Sequence, residues 1–176
     1  MPVACVTPVK QRADTAAVRH ARPGRPRHEE GVMEFKLELV LVPVTDVDRA
    51  KSFYVEQAGF NLEVDTPVGE NMRVVQVTPP GSACSVGFGV GITAAPPGTA
   101  QGLHLVVSDI VAARAGLVKR GAEVSEVRHL ESGNWVPGPH PQRANYESFA
   151  EFADPDGNLW VLQEVNHPGS AARDGG

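Results

Sequence analysis

Two cysteines in 176 residues, Cys5 and Cys84, are too few for a disulfide framework or a cysteine-rich zinc site. Aromatic residues make up only 6% of the chain, so its two tryptophans and two tyrosines can be weighed one by one. No apolar run approaches the roughly 20 residues that a membrane span requires. Basic charge is also short. The 16 Lys+Arg stand against 21 Asp+Glu, a net charge of −5, which argues against nucleic-acid recognition through a broad basic face. Glycine (18) and proline (15) are plentiful, and 41% of the residues are hydrophobic. The length suits one compact domain or two small similar modules. These features together predict a soluble, cytoplasmic, turn-rich α/β or α+β protein.

The net charge conceals an asymmetry. Residues 1–32 carry six cations (Lys10, Arg12, Arg19, Arg22, Arg25, Arg27) and three acids (Asp14, Glu29, Glu30), a net of +3, leaving −8 for residues 33–176. The segment has no apolar periodicity and reads as a disordered basic tail. It lacks the apolar core of a secretory signal, and its prolines oppose an amphipathic targeting helix. Met33 precedes the first convincing strand, so the functional unit is expected to begin there. Residues 166–176 read as a short flexible tail.

Between the tails, one order of elements occurs twice. Residues 35–44 (FKLELVLVPV) are β-branched and apolar, which predicts a strand. Thr45-Asp46-Val47-Asp48 carries a helix N-cap signal, and residues 46–58 place Val47, Ala50, Phe53, Tyr54 and Gln57 at helical spacing before Gly59. Strand-like runs follow at 60–65, 72–78 and 83–92, and residues 93–99 (TAAPPGT) read as a linker. The series then restarts with a strand at 102–108 and a helix from Asp109 to Arg120. Strands are predicted at 122–130, 147–153 and 158–165, with an irregular polar loop through about Asn145. Asp46 and Asp109 occupy matching places. Strand-helix-strand-strand-strand, written twice, is the inference.

This order resembles the vicinal oxygen chelate superfamily, which includes glyoxalase I, bleomycin-resistance proteins and extradiol dioxygenases. The likeness rests on VPVTDVDRAKSFYVEQAGF, GLHLVVSDIVAARAGLVKRGAEV and FADPDGNLWVLQE, and it spans about Leu37 to Glu164. It implies an α+β fold of two βαβββ modules, 33–92 and 102–165, whose curved mixed sheets form a cup around a small molecule. It also implies a homodimer. Metal-using members place His, Gln or Glu on inward-facing strand positions, because a divalent ion must polarise vicinal oxygens of the substrate. Carried onto this chain, three of those places fall on Leu39, Gly102 and Val161, and the fourth lies in the 83–92 strand, which has no His, Asp or Glu. The usual metal site is therefore expected to be absent.

Strand alternation supplies another set. His104 shares the face of Gly102, Gln163 shares that of Val161, and Glu151 faces inward from the neighbouring strand. These three are candidates for an unconventional divalent-metal site, or for a hydrogen-bonding pocket, with His104 and Glu151 as the acid–base candidates. Leu39, Leu41, Val106 and Val161 give the cup an apolar lining. Residues 131–145 (ESGNWVPGPHPQRAN) read as a binding loop whose Trp135 stacks on a flat ligand, with Tyr146 where the chain re-enters the sheet. Each of these has a plainer reading as packing.

Other motifs read as structural. DPDGN is a hairpin turn, since Gly157 comes too early for a calcium loop. GFGVG lacks the following helix that a phosphate loop needs. Phe53, Tyr54 and Trp160 read as core, Cys84 as a buried hydrophobe, and Glu164 as facing away from Gln163. His129 and His140 are expected to lie too far apart to form a motif. The favoured function is a binding protein for a small, planar or aromatic molecule, without a resident cofactor or a nucleic-acid or membrane partner. The alternatives are a glyoxalase-like lyase, isomerase or dioxygenase with displaced ligands, and a regulatory module that has lost its ligand.

Overall fold

The computed structural model describes residues 34–169. The basic segment 1–32, Cys5, Met33 as a starting point, and the tail from 170 onward lie outside the described residues. Lys36–Gly176 forms a unit of its own, and the elements below belong to it.

Strand β1 (Leu39–Leu41), helix α1 (Val47–Ser52) and strands β2 (Asn61–Val68), β3 (Met72–Thr78) and β4 (Ser85–Val90) make the first module. Its sheet has the order β1-β4-β3-β2. The second module repeats the order with β5 (Leu103–Val107), α2 (Ile110–Lys119), β6 (Arg128–Glu131), β8 (Ser148–Ala153) and β9 (Leu159–Glu164), and inserts an extra strand, β7 (Asn134–Pro137). Its sheet runs β5-β9-β8-β6-β7. In each sheet the first strand of the module pairs in parallel with the last, β1 with β4 and β5 with β9, and the other pairings are antiparallel.

The two helices start in the same way. Asp46 accepts from the backbone of Asp48 and Arg49, and Asp109 accepts from Val111 and Ala112, each at 3.0 Å. Such caps satisfy donors that the first helical turn leaves unpaired. Asp46 is the cap, and Thr45 instead donates its hydroxyl to Asp156. Past Ser52 the helix widens into a π turn, Phe53–Gln57, closed by Ala58 N donating to Phe53 O at 2.8 Å.

Three expected elements differ. The 35–44 strand is paired only over Leu39–Leu41. The 122–130 strand reduces to a single bridge between Val124 and Phe152, followed by β6. The loop expected through Asn145 contains a hairpin, β6–β7, turned by Ser132 and Gly133 with φ of 50° and 83°. Positive φ at both central residues matches the twist of the flanking strands. Four-residue strands around a Ser-Gly turn leave too little alternation to be recognised in advance.

One core joins the modules. Tyr54 packs against Phe88, Phe60 and Trp160 at ring-centroid distances of 5.3, 5.7 and 5.9 Å, and Phe152 stacks on Trp160. Its hydroxyl donates to Asp154 at 2.9 Å and accepts from the Trp160 indole at 3.2 Å. Burial, followed by the neighbouring Asp154 charge, pushes the Tyr54 pKa far above its ordinary value, so the phenol stays neutral.

The DPDGN segment is the expected turn, and it also clasps the two modules. Asp154 accepts from the backbone of Asp156 and Asn158. Fully buried Asn158 donates to Pro43 O at 2.9 Å and accepts from Ala100 N at 3.0 Å. The 93–99 linker is packed onto this clasp. A Cβ on Gly98 would lie 2.2 Å from the Asp156 carbonyl oxygen, at a residue whose φ is +75°. Gly98→Ala should therefore cost about 2 kcal/mol in urea unfolding. A wild-type midpoint would contradict this packing.

Candidate functional site

Register determines which side chains share a face. His104 pairs with Val161 and Val161 with Glu151, while Val106 pairs with Gln163, Gln163 with Phe149, and Phe149 with Arg128. Directly paired residues project from the same side of a sheet. The alternate residues Ala150, Phe152, Trp160 and Leu162 are buried in the core. The open face of the second sheet thus carries His104, Val106, Glu151, Val161 and Gln163 together, as strand alternation predicts. The apolar floor of this face is Val106, Val161 and Phe149, with Gln163 between Val106 and Phe149.

Trp135 borders this floor from a strand instead of a loop. It pairs with Leu130 across the β6–β7 hairpin and is 51% exposed. Its indole meets the Phe149 ring edge-on at 5.5 Å, and the Arg128 guanidinium lies 4.3 Å from the indole centroid. Arg128 also bonds Glu151 at 2.7 Å. Burial of the Trp135 flanks by cation and ring fixes its orientation while leaving surface for a partner. Arg128 was not among the sequence candidates. Its position two residues before Leu130 in an alternating run is the only signal that could have found it.

His104 Nδ1 lies 3.2 Å from Gln163 Oε1, and Gln163 Nε2 donates to the Tyr146 carbonyl oxygen at 3.1 Å. Tyr146 has φ of 65° and an exposed ring, and its backbone N donates to Glu164 O at 2.8 Å. His104 and Glu151 each bond a different partner, His104 to Gln163 and Glu151 to Arg128.

Glu164 faces away, as expected, and anchors the segment behind the site. Arg143 Nε donates to it at 2.8 Å, its Nη2 bonds both Glu164 and Asp109, and Ile110 N donates to it at 3.0 Å. Burial alone would raise the Glu164 pKa, but the Arg143 and Ile110 bonds outweigh it and hold the carboxyl below its ordinary value. Asp109 is lowered by its helix-capping bond from Ala112 and by Arg143, against burial.

Leu39 and Leu41 lie on the open face of the first sheet, where their side chains flank Gly87: a Cβ there would sit 3.1 Å from Leu41 and 3.2 Å from Leu39. Met72 and Val68 are exposed on the same face. A cleft of about 320 Å³ includes Arg128, Trp135 and Glu151, one of about 500 Å³ includes Glu151 and Leu159, and one of about 240 Å³ includes His104 and Gly102. Leu39 and Leu41 line none of these three.

The donor set does not fit the metal that the resemblance implies. Leu39, Gly102 and Val161 have no ligating side chain, and β4 (SVGFGV) has none of the usual ligand types. A cation on His104, Glu151 and Gln163 would have to displace the Arg128 guanidinium from Glu151. Among the described residues, Asp109, Glu164 and His167 bring three ligand atoms within 4.8 Å, but Arg143 already bonds both carboxylates.

Two expectations about single residues change. His129 and His140 are not far apart: their rings meet edge-on at 5.7 Å, because the chain folds back so that His129 Nδ1–H donates to Gly138 O. Cys84 is half-buried rather than buried.

Comparison with known proteins agrees with this architecture. Residues 36–162 match the model of the Glyoxalase/Bleomycin resistance protein/Dioxygenase superfamily. The structure is similar to that of TnmS3, an antibiotic-binding protein from Streptomyces sp. CB03234, with 34% identity and a TM-score of 0.58 over 74% of this chain and 96% of that one. It is also similar to a member of the same superfamily from Sphaerobacter thermophilus DSM 20745, with 29% identity and a TM-score of 0.59 over 76% and 100% of the two chains. The uncharacterised protein YetH of Bacillus subtilis strain 168 is 26% identical over 126 residues, 71% of this chain and 94% of YetH. Among the described residues no helix is long and apolar enough to cross a membrane.

Proposed function

Because the chain belongs to the glyoxalase/bleomycin resistance protein/dioxygenase superfamily, we propose that it binds a small planar aromatic molecule on the open face of its second sheet. The binding needs no resident metal, and the setting is cytoplasmic. The observation that carries the reading is Trp135: half-exposed, fixed by Phe149 and Arg128, and on the same open face as Val161 and Val106. Sequestration of an antibiotic-like compound is the role this suggests, in line with the antibiotic binding named for TnmS3. Flat aromatic surface with a few convergent polar groups suits such ligands.

A second copy of the chain is the partner we propose for the other half of the cup. Leu39, Leu41, Val68 and Met72 are uncovered on the open face of the first sheet, an apolar surface of a kind that marks interaction sites. Leu41→Glu should leave the chain folded and convert a dimer into a monomer in light scattering. A wild-type protein that is monomeric at high concentration would contradict this.

The function is tested on protein purified without chelator. Metal analysis should find no stoichiometric ion, and calorimetry should register binding of phenazine, a flat tricyclic probe. Trp135→Ala should weaken that binding about tenfold, the value of one aromatic contact. Stoichiometric metal that disappears in His104→Ala would overturn the reading in favour of a metal-dependent enzyme.

A further inference from the structure

We infer that His104 presents an unprotonated Nε2 to the binding face, and that the ligand is a planar aromatic whose hydroxyl donates its proton to that nitrogen. The inference rests on the proposed binding face and specifies what it recognises.

The geometry leaves one assignment. A backbone carbonyl oxygen can only accept, so the end of the Gln163 amide that faces Tyr146 O must be the NH2 group. The end facing His104 is then the amide oxygen, and Nδ1 must carry the proton that bridges the 3.2 Å between them. In a neutral imidazole with Nδ1 protonated, Nε2 is a bare acceptor. His104 is exposed on the open face, beside Val106 and across from Val161, and its Nε2, on the ring edge turned away from Gln163, has no hydrogen-bond partner among the described residues. Gln163 is therefore a positioning residue: through Tyr146 it fixes the tautomer of the histidine beside it.

The spacing adds the ligand's length. His104 stands on β5 and Phe149 on β8, two strands across and two residues along, a separation of about 12 Å at the usual strand spacing and rise. The surface across that span is Val161 and the Phe149 ring, with the Gln163 amide between Phe149 and Val106. Three linearly fused rings cover it, with one end at the Trp135–Phe149 corner and a ring substituent at His104. A ring hydroxyl satisfies Nε2, whereas an ether oxygen leaves it facing a second acceptor. Sites that hydrogen-bond a hydroxyl discriminate against analogues without one.

Two measurements test this. The first is the pair of 15N shifts of His104 in imidazole-labelled protein, followed through a pH series until they no longer change. Nδ1 should appear protonated and Nε2 bare, and Gln163→Leu should mix the tautomers while the backbone spectrum elsewhere is kept. An Nε2-protonated ring in the wild type would overturn the inference. The second compares 2-hydroxyphenazine with 2-methoxyphenazine by tryptophan quenching. The hydroxy compound should bind about tenfold more tightly, and His104→Ala should abolish the difference. Equal binding of the two compounds, or a preference that survives in His104→Ala, overturns the inference and leaves the aromatic-binding function standing. Failure of both compounds to bind overturns that function and this inference with it.

Discussion

Replacing Arg143 by methionine is expected to destabilise the fold by about 3–5 kcal/mol, the usual result of stranding a buried carboxylate. Glu164 is fully buried, and in the variant only the Ile110 amide would remain of the bonds that hold it. The pH dependence should change sign. In the wild type the Glu164 and Asp109 pKa values are depressed. Their stabilisation is present above the ordinary carboxylate range and is lost as the pH falls through the lower folded values. Without Arg143, burial raises the Glu164 pKa above its unfolded value, so its contribution falls as the pH rises through the unfolded value near 4.5. Urea unfolding across an acid-to-neutral pH series measures both effects. A variant with wild-type stability at neutral pH would show that the clamp contributes nothing.

Asn158→Leu should cost about 3 kcal/mol or more. The side chain donates to Pro43 O and to Asp154 Oδ2, and accepts from Ala100 N. Each buried group left without a partner costs about 1–3 kcal/mol. Because two of those partners lie outside the β8–β9 turn, the loss falls on the join between modules rather than on the hairpin. Asn158→Asp keeps the size, loses both donors and adds a charge beside Asp154, so it should be no milder. Thermal unfolding followed by Trp160 fluorescence would detect either, since that indole bonds Tyr54 within the same cluster. Midpoints near wild type would mean that the clasp is dispensable.

The modules, their two capping aspartates and β3 were legible in the sequence because each depends on local patterning. So was the shared face of His104, Glu151, Val161 and Gln163, since alternation along a strand is a local property. The partners of those residues were not legible. Arg128 reaches Glu151 and Trp135 through the pairing of β6 with β8 and β7, which no local pattern encodes. Arg143 read as a loop residue, and Asn158 as the end of a hairpin turn opening a strand, until the fold placed buried Glu164 and Pro43 O beside them. Trp135 was identified by its scarcity and by its place in a segment read as a binding loop. Its strand was missed because two short segments around Ser132-Gly133 resemble a loop.

The central claim is that a flat aromatic ligand lies on the open face of the second sheet without a metal. Chemical-shift mapping during a titration of chelator-treated protein with phenazine tests it most directly, because the two indole N–H signals report separate places. Trp160 is buried and bonded to Tyr54, whereas Trp135 is half-exposed beside Phe149. The account predicts saturable shifts at Trp135, Val106, Val161 and His104 with Trp160 unmoved. No shifts at these residues without added divalent metal, or saturable shifts confined to other surfaces, would contradict it.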